Sequence, residues 1–213
     1  MLRRSALAGI AALLLIAPAQ AQQTQTVLQG AERAAALARA NTALNSVSRL
    51  QARFEQASSG GGRASGVVYM QRPGRLRFEY DAPATLLIVS DGNVVYLRDT
   101  ALRNTDRTPL RSTPLNLILR QQINLERDAR ITRVATEGDR WIVVTARDRS
   151  GQTDGEITMF FEGPNAQLRA WDVTDATGAR TRINLTNITQ PANFSASLFR
   201  LEDQLERNRP GRR

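Results

Sequence analysis

The sequence predicts a mainly β chain, a meander of about ten antiparallel strands interrupted by two apolar helical stretches. Three observations carry this reading. Apolar and polar residues alternate with a period of two through most of the chain beyond residue 49. Turn signals built on Gly, Pro, Asn and Asp separate the alternating stretches. Only two stretches place apolar residues at helical spacing.

The first helix is predicted over 29–43, where Leu28, Ala31, Ala35, Leu37 and Leu44 recur at near-helical spacing in an alanine-rich run. Asn45 and Ser46 end it. Strands follow at 50–55, 64–71 and 75–80, joined by Ser58-Ser59-Gly60-Gly61-Gly62 and by Pro73-Gly74. In the last of these, Leu76, Phe78 and Tyr80 alternate with Arg75, Arg77 and Glu79, giving one apolar and one charged face. Strands at 85–90 and 94–98 flank the hairpin turn Asp91-Gly92-Asn93. Residues 99–113 are polar, lack a clear period and read as a loop.

A second, short and very apolar helix is predicted over 114–121, with Thr113 as N-cap and Pro114 at the first helical position. Five more strands are predicted at 129–136, 141–147, 156–162, 168–174 and 181–187. A sheet this wide has one apolar face that needs cover, and the two helices are its only candidates. They are short for that task, which predicts a cavity rather than a sealed core.

The chain organises as a leader (1–21), a single domain (22–200) and a polar, basic tail (201–213). Met1-Leu2-Arg3-Arg4 is a basic n-region, 6–17 is an apolar run too short to span a bilayer, and Ala19-Gln20-Ala21 is a small-x-small cleavage site. The mature chain is expected to begin at Gln22, in an exported compartment. There is no cysteine, hence no disulfide and no lipidation site. All 29 Lys+Arg residues are arginine and the formal net charge is +9. Aromatics make up only 5% of the chain, and the arginines are scattered, so a nucleic-acid-binding stripe is not expected. Attraction to anionic membrane surfaces is the expected consequence of the charge.

Catalysis finds little to work with. Without histidine, cysteine or lysine, the Ser-His-Asp, Cys-His and Ser-Lys arrangements and the usual zinc sites are excluded. The acidic residues sit mostly at turns (Asp91, Asp99, Asp139, Asp154, Asp175), where they stabilise turn geometry. The chain is therefore expected not to be an enzyme, and no metal or cofactor is expected.

Four segments in order resemble the LolA family of outer-membrane lipoprotein carriers. They are Phe54-Glu55-Gln56; Arg72-Pro73-Gly74-Arg75-Leu76-Arg77-Phe78-Glu79-Tyr80, preceded by Gly66 and Tyr69; Ile88-Val89-Ser90-Asp91-Gly92 followed by Val95-Tyr96; and Thr113-Pro114-Leu115-Asn116-Leu117-Ile118-Leu119. Ser197-Leu198-Phe199-Arg200 is a weaker match. The resemblance implies an open, incomplete antiparallel β-barrel of ten to eleven strands with an α-helical lid. It implies a periplasmic chaperone, monomeric, that accepts lipoproteins from an inner-membrane ABC transporter and passes them to the outer membrane, through an acceptor there if one is present.

The resemblance makes Arg72 a lid latch, its guanidinium bonding to lid-helix carbonyls. Read from the residues alone, Arg72 fits that role and a turn-capping role before Pro73 equally well. Leu76 stands where the family often has an aromatic. The expected walls of an acyl-chain cavity are Val67, Tyr69, Leu76, Phe78, Tyr80, Ile88, Tyr96, Trp141, Val143, Met159 and Phe161 on strands, with Leu115, Ile118 and Leu119 on the second helix. Two other functions stay open: a periplasmic binding protein for another amphiphile, and an envelope-stress sensor domain of the same fold.

Overall fold

The computed structural model describes residues 25–149 and 155–201. The predicted leader lies outside the described residues, as do residues 150–154 and residues 202–213 of the predicted tail.

Two meanders build the fold. The first comprises β2 (Arg49–Ser58), β3 (Arg63–Gln71), β4 (Arg75–Tyr80), β5 (Leu86–Asp91), β6 (Val94–Asp99) and β7 (Asn104–Pro109). The second comprises β8 (Ala129–Glu137), β9 (Trp141–Asp148), β10 (Gly155–Glu162), β11 (Gln167–Asp175) and β12 (Arg180–Thr189). Antiparallel pairing of β12 with β2 joins them, and a short β1 (Gln25–Val27) adds to β8. The result is one 12-stranded sheet in the order β1-β8-β9-β10-β11-β12-β2-β3-β4-β5-β6-β7. No ladder joins its edges β1 and β7 among the described residues, so the sheet forms an open barrel.

The helices lie in the two connections that jump across this order. α1 (Gly30–Ser46) links β1 to β2, while α2 (Asn116–Leu119) and α3 (Leu125–Asp128) link β7 to β8. Both connections cover the same face of the sheet, the inner face. α1 buries Ala36, Leu37, Ala40 and Leu44, a stripe at i, i+1, i+4 and i+8 whose alanines let the helix approach closely. These residues form one continuous core with Leu117, Ile118 and Leu119 of α2 and with the inward side chains of both meanders. The middle of the interior is filled by aromatics. Phe54 meets Phe78 and Tyr80 edge-on at 5.0 and 5.1 Å, and Phe78 reaches Trp171 on β11 at 6.4 Å. Gly66 makes room for this: a Cβ there would lie 2.7 Å from the Phe54 ring and 2.0 Å from Glu79 O.

Several expectations need correction. The sheet has 12 strands because β1 and β7 join the ten predicted ones. β7 is an edge strand with no buried face, so its residues show no apolar alternation. The second helix shrinks to one turn after a 3-10 turn at Leu110–Ser112. Thr113 does not cap it; its Oγ1 donates back to Leu110 O at 2.8 Å. Arg77, on the charged face of its strand, is only 1% exposed. It lies under a C-terminal 3-10 turn at Ala196–Phe199, donating from Nη1 to Leu198 O at 3.1 Å and from Nε to Glu79 at 2.7 Å. The outer face is thus partly covered as well.

Candidate functional site, a cavity under the end of α1

A helix leaves its last carbonyls without intrahelical partners, and their dipoles concentrate negative potential there. α1 ends with no basic residue in its last turn and with Val47, not glycine, at its C-cap. The missing cation comes from β3 and its turn. Arg72 Nη2 donates to Leu44 O and Val47 O, both at the α1 terminus. Burial lowers the Arg72 pKa from its ordinary value.

The turn beside Arg72 holds further elements in register. Gly74 N–H donates to Leu119 O at the end of α2, at 2.8 Å. Gly74 O accepts from the buried Ser90 hydroxyl at 2.7 Å. At φ +72°, Gly74 lies against Gly92, so closely that a Cβ would come within 2.6 Å of Gly92 O. One tight turn therefore ties α1, α2 and the β5–β6 hairpin together.

Two asparagines on α1 tie it to the segment entering α3. Asn45 Nδ2 donates to Ile123 O at 2.7 Å, and Ile123 N–H donates to Asn45 Oδ1 at 2.9 Å. Leu125 N–H donates to Asn41 Oδ1 at 2.9 Å. Arg39 Nη2 reaches Gly163 O and Pro164 O in the β10–β11 turn. The sequence signal for the asparagine contacts was slight, since asparagine near a helix end also reads as a stop signal.

A cavity of about 280 Å3 opens beside Arg72. Its walls are Ala43, Leu44 and Val47 of α1 and its cap, Leu50 and Met70 of β2 and β3, Ile118 of α2, Leu168 and Ile188. Ser46, Asn165, Gln167 and Gln190 are its polar lining. The volume is just below the roughly 300–1,000 Å3 of pockets that hold drug-sized ligands.

The predicted wall residues divide between the two faces. Leu76, Phe78, Ile118, Leu119, Met159 and Phe161 are buried in the inner core, and Tyr80, Ile88 and Leu115 pack against it. Burial pushes the Tyr80 hydroxyl up to about 12, and it donates to Gln56 at 2.7 Å. Val67, Tyr69, Tyr96, Trp141 and Val143 point the other way. In β3 the buried inner residues are Val68 and Met70, so Val67 and Tyr69 stand opposite Glu79 and Arg77 on the outer face. Tyr69 packs edge-on against Phe194. Tyr96 stands across from Val89 on the outer face, with Arg107 over its ring. Val143 and Trp141 form a separate outer cluster with Phe160 and Ala170. The physical reason is common to all five. Val67-Val68-Tyr69-Met70, Val94-Val95-Tyr96-Leu97 and Trp141-Ile142-Val143-Val144 are unbroken apolar runs, in which alternation carries no sign.

The motifs that are scattered in sequence converge in space. Arg72-Pro73-Gly74, Ser90-Asp91-Gly92 and the end of the 113–119 segment meet at one turn, and Gln56 of the earliest motif receives the Tyr80 hydroxyl. Residues 45–202 match the family model described as outer membrane lipoprotein carrier protein LolA. The chain belongs to the LolA family. Similar relatives carry the name outer-membrane lipoprotein carrier protein. One from Chromohalobacter salexigens is 33% identical over 92% of this chain and 91% of that protein. Another from Chromobacterium violaceum is 29% identical over 78% of this chain and 82% of that protein. A LolA superfamily protein from Nitrosomonas europaea shares the fold, with a TM-score of 0.50 at 8% identity, over 80% of this chain and 98% of that one. The LolA match spans both meanders, α2 and α3, and begins at the last turn of α1, where Arg72 bonds.

Proposed function

We propose that this chain is a periplasmic, non-enzymatic carrier that takes lipoproteins from an inner-membrane ABC transporter and delivers them to the outer membrane. The acyl chains enter between the inner face of the sheet and a lid made of α1, α2 and α3. Arg72 is the latch of that lid. The observation that carries the reading is the bonding of Arg72 to the α1 terminus directly beside an apolar cavity.

The physics suits transfer rather than storage. Each methylene moved from water into an apolar site contributes about 0.8 kcal/mol, but a membrane offers the same gain. A carrier must therefore bind in near balance with the bilayer. The closed interior is already filled by Leu37, Leu44, Leu117, Ile118 and Leu119, each at most 5% exposed. Loading has to displace these side chains and break the Arg72 bonds. Closing restores both, which favours handing the cargo on. A carrier of this kind acts by differential binding and needs no catalytic group.

Depleting the protein in its native cell tests the reading. Lipoproteins destined for the outer membrane should accumulate in the inner membrane, as read by membrane fractionation. Normal localisation under complete depletion would reject it.

A further inference from the structure

The bonds to α1 use only one of the three guanidinium nitrogens of Arg72. Nε and Nη1 are buried and have no hydrogen-bond partner among the described residues. The cavity beside them is walled by Leu44, Val47, Met70, Ile118 and Leu168. A buried cation with unmet donors is stabilised by an oxygen acceptor, and a hydrocarbon tail supplies none. An acyl chain does carry one such group, the ester or amide carbonyl that joins it to its headgroup. The same lining carries polar side chains, Ser46, Gln167 and Gln190, in reach of the head of a chain held in the cavity.

We infer that Arg72 recognises the ester or amide carbonyl at the head of a bound acyl chain, so that the same side chain that latches α1 also selects acylated ligands over plain hydrocarbon. In the closed form Nη2 holds Leu44 O and Val47 O. As α1 lifts, Nη2 loses those acceptors, and the ligand carbonyls take their place. Latch release and cargo recognition are then one exchange of acceptors at one guanidinium, and the cost of opening falls only for a ligand that brings carbonyls. The inference rests on the carrier reading above and goes further by naming the chemical group that is read.

The test compares matched probes by titration calorimetry on the mature protein. One is a peptide whose cysteine carries a glyceryl group with two ester-linked palmitoyl chains. The second has two ether-linked hexadecyl chains instead. The third is dipalmitoyl phosphatidylcholine with its diether counterpart. Wild-type protein should bind the diester peptide about tenfold more tightly than the diether. Arg72→Met, checked for an intact fold by its thermal melt, should bind the two within about twofold. An ester preference for the phospholipid as well would assign the recognition to acyl esters in general, and a preference confined to the peptide would assign it to acylated cysteine; each supports carbonyl recognition. Equal binding of diester and diether peptides by wild type overturns the inference and leaves the carrier reading standing. A tenfold preference retained by folded Arg72→Met overturns it too. Failure of wild type to bind any probe overturns the carrier reading itself.

Discussion

Replacing Arg72 by methionine should loosen the end of α1 far more than it destabilises the protein. Two charge-assisted hydrogen bonds, to Leu44 O and Val47 O, disappear. Bonds to charged groups contribute about 1.5–3 kcal/mol each. Against this, the substitution removes a buried guanidinium with two unmet nitrogens, whose desolvation is a cost of similar size. Global stability is therefore expected to change by less than about 1–2 kcal/mol. Local opening of the last turn of α1 has no such offset, because Arg72 stays on its own turn beside the cavity and its desolvation is common to the closed and the locally opened form. Taking the lower bound for two bonds, opening becomes easier by about 3 kcal/mol, or roughly a hundredfold in population. Amide hydrogen exchange reads this directly. Protection over residues 44–47 should drop by about two orders of magnitude, while protection in β9 and β10 stays as in wild type. Unchanged exchange over 44–47 in a folded variant would remove Arg72 from the latch.

Three further outcomes are expected. Asn45→Ala leaves both the N–H and the C=O of Ile123 without their side-chain partners and should cost about 1–3 kcal/mol in urea unfolding; no loss would mean that α1 and α3 are not coupled there. Gly74→Ala places a Cβ 2.6 Å from Gly92 O at φ +72° and should cost about 2 kcal/mol or more, read as a lowered melting temperature. The third concerns pH. Arg53 and Ser65 hold the Asp81 carboxyl down at about 2, Arg127 lowers Asp128, and Arg140 and Arg169 lower Glu162. The unfolded chain binds more protons in this range, so the stabilisation is complete above the ordinary carboxylate values and is lost as pH falls from about 4 towards 2. With no histidine in the chain, the urea midpoint should be nearly flat from about pH 5 to pH 8; a marked fall within that range contradicts this assignment.

The sequence was informative where a strand has one apolar face. β4 reads its inner residues Leu76, Phe78 and Tyr80 by simple alternation, and the register agrees. It misled where both faces are apolar, as in β3, β6 and β9, because parity there is set by pairing partners far away in the chain. β7 was illegible for the opposite reason, being polar on both faces at an exposed edge. The burial of Arg77 was not legible, because nothing in its own alternating strand announces a cover. What covers it is the Ala196–Phe199 turn, about 120 residues later in sequence. At the site, Arg72 was named from the resemblance, since the residues alone allowed a turn cap as readily as a latch. The roles of Asn41, Asn45 and Gly74 depend on backbone atoms in distant segments, which no local pattern encodes.

The most direct measurement places a photo-crosslinking amino acid at single positions on each face and asks which positions capture an acylated client in cells. Leu76, Phe78 and Phe161 line the inner face, while Tyr69, Val143 and Trp141 lie on the outer one. The carrier reading predicts crosslinks to lipoproteins from the inner positions and none from the outer ones. Capture from the outer positions, or from neither set in a folded and expressed protein, would contradict it.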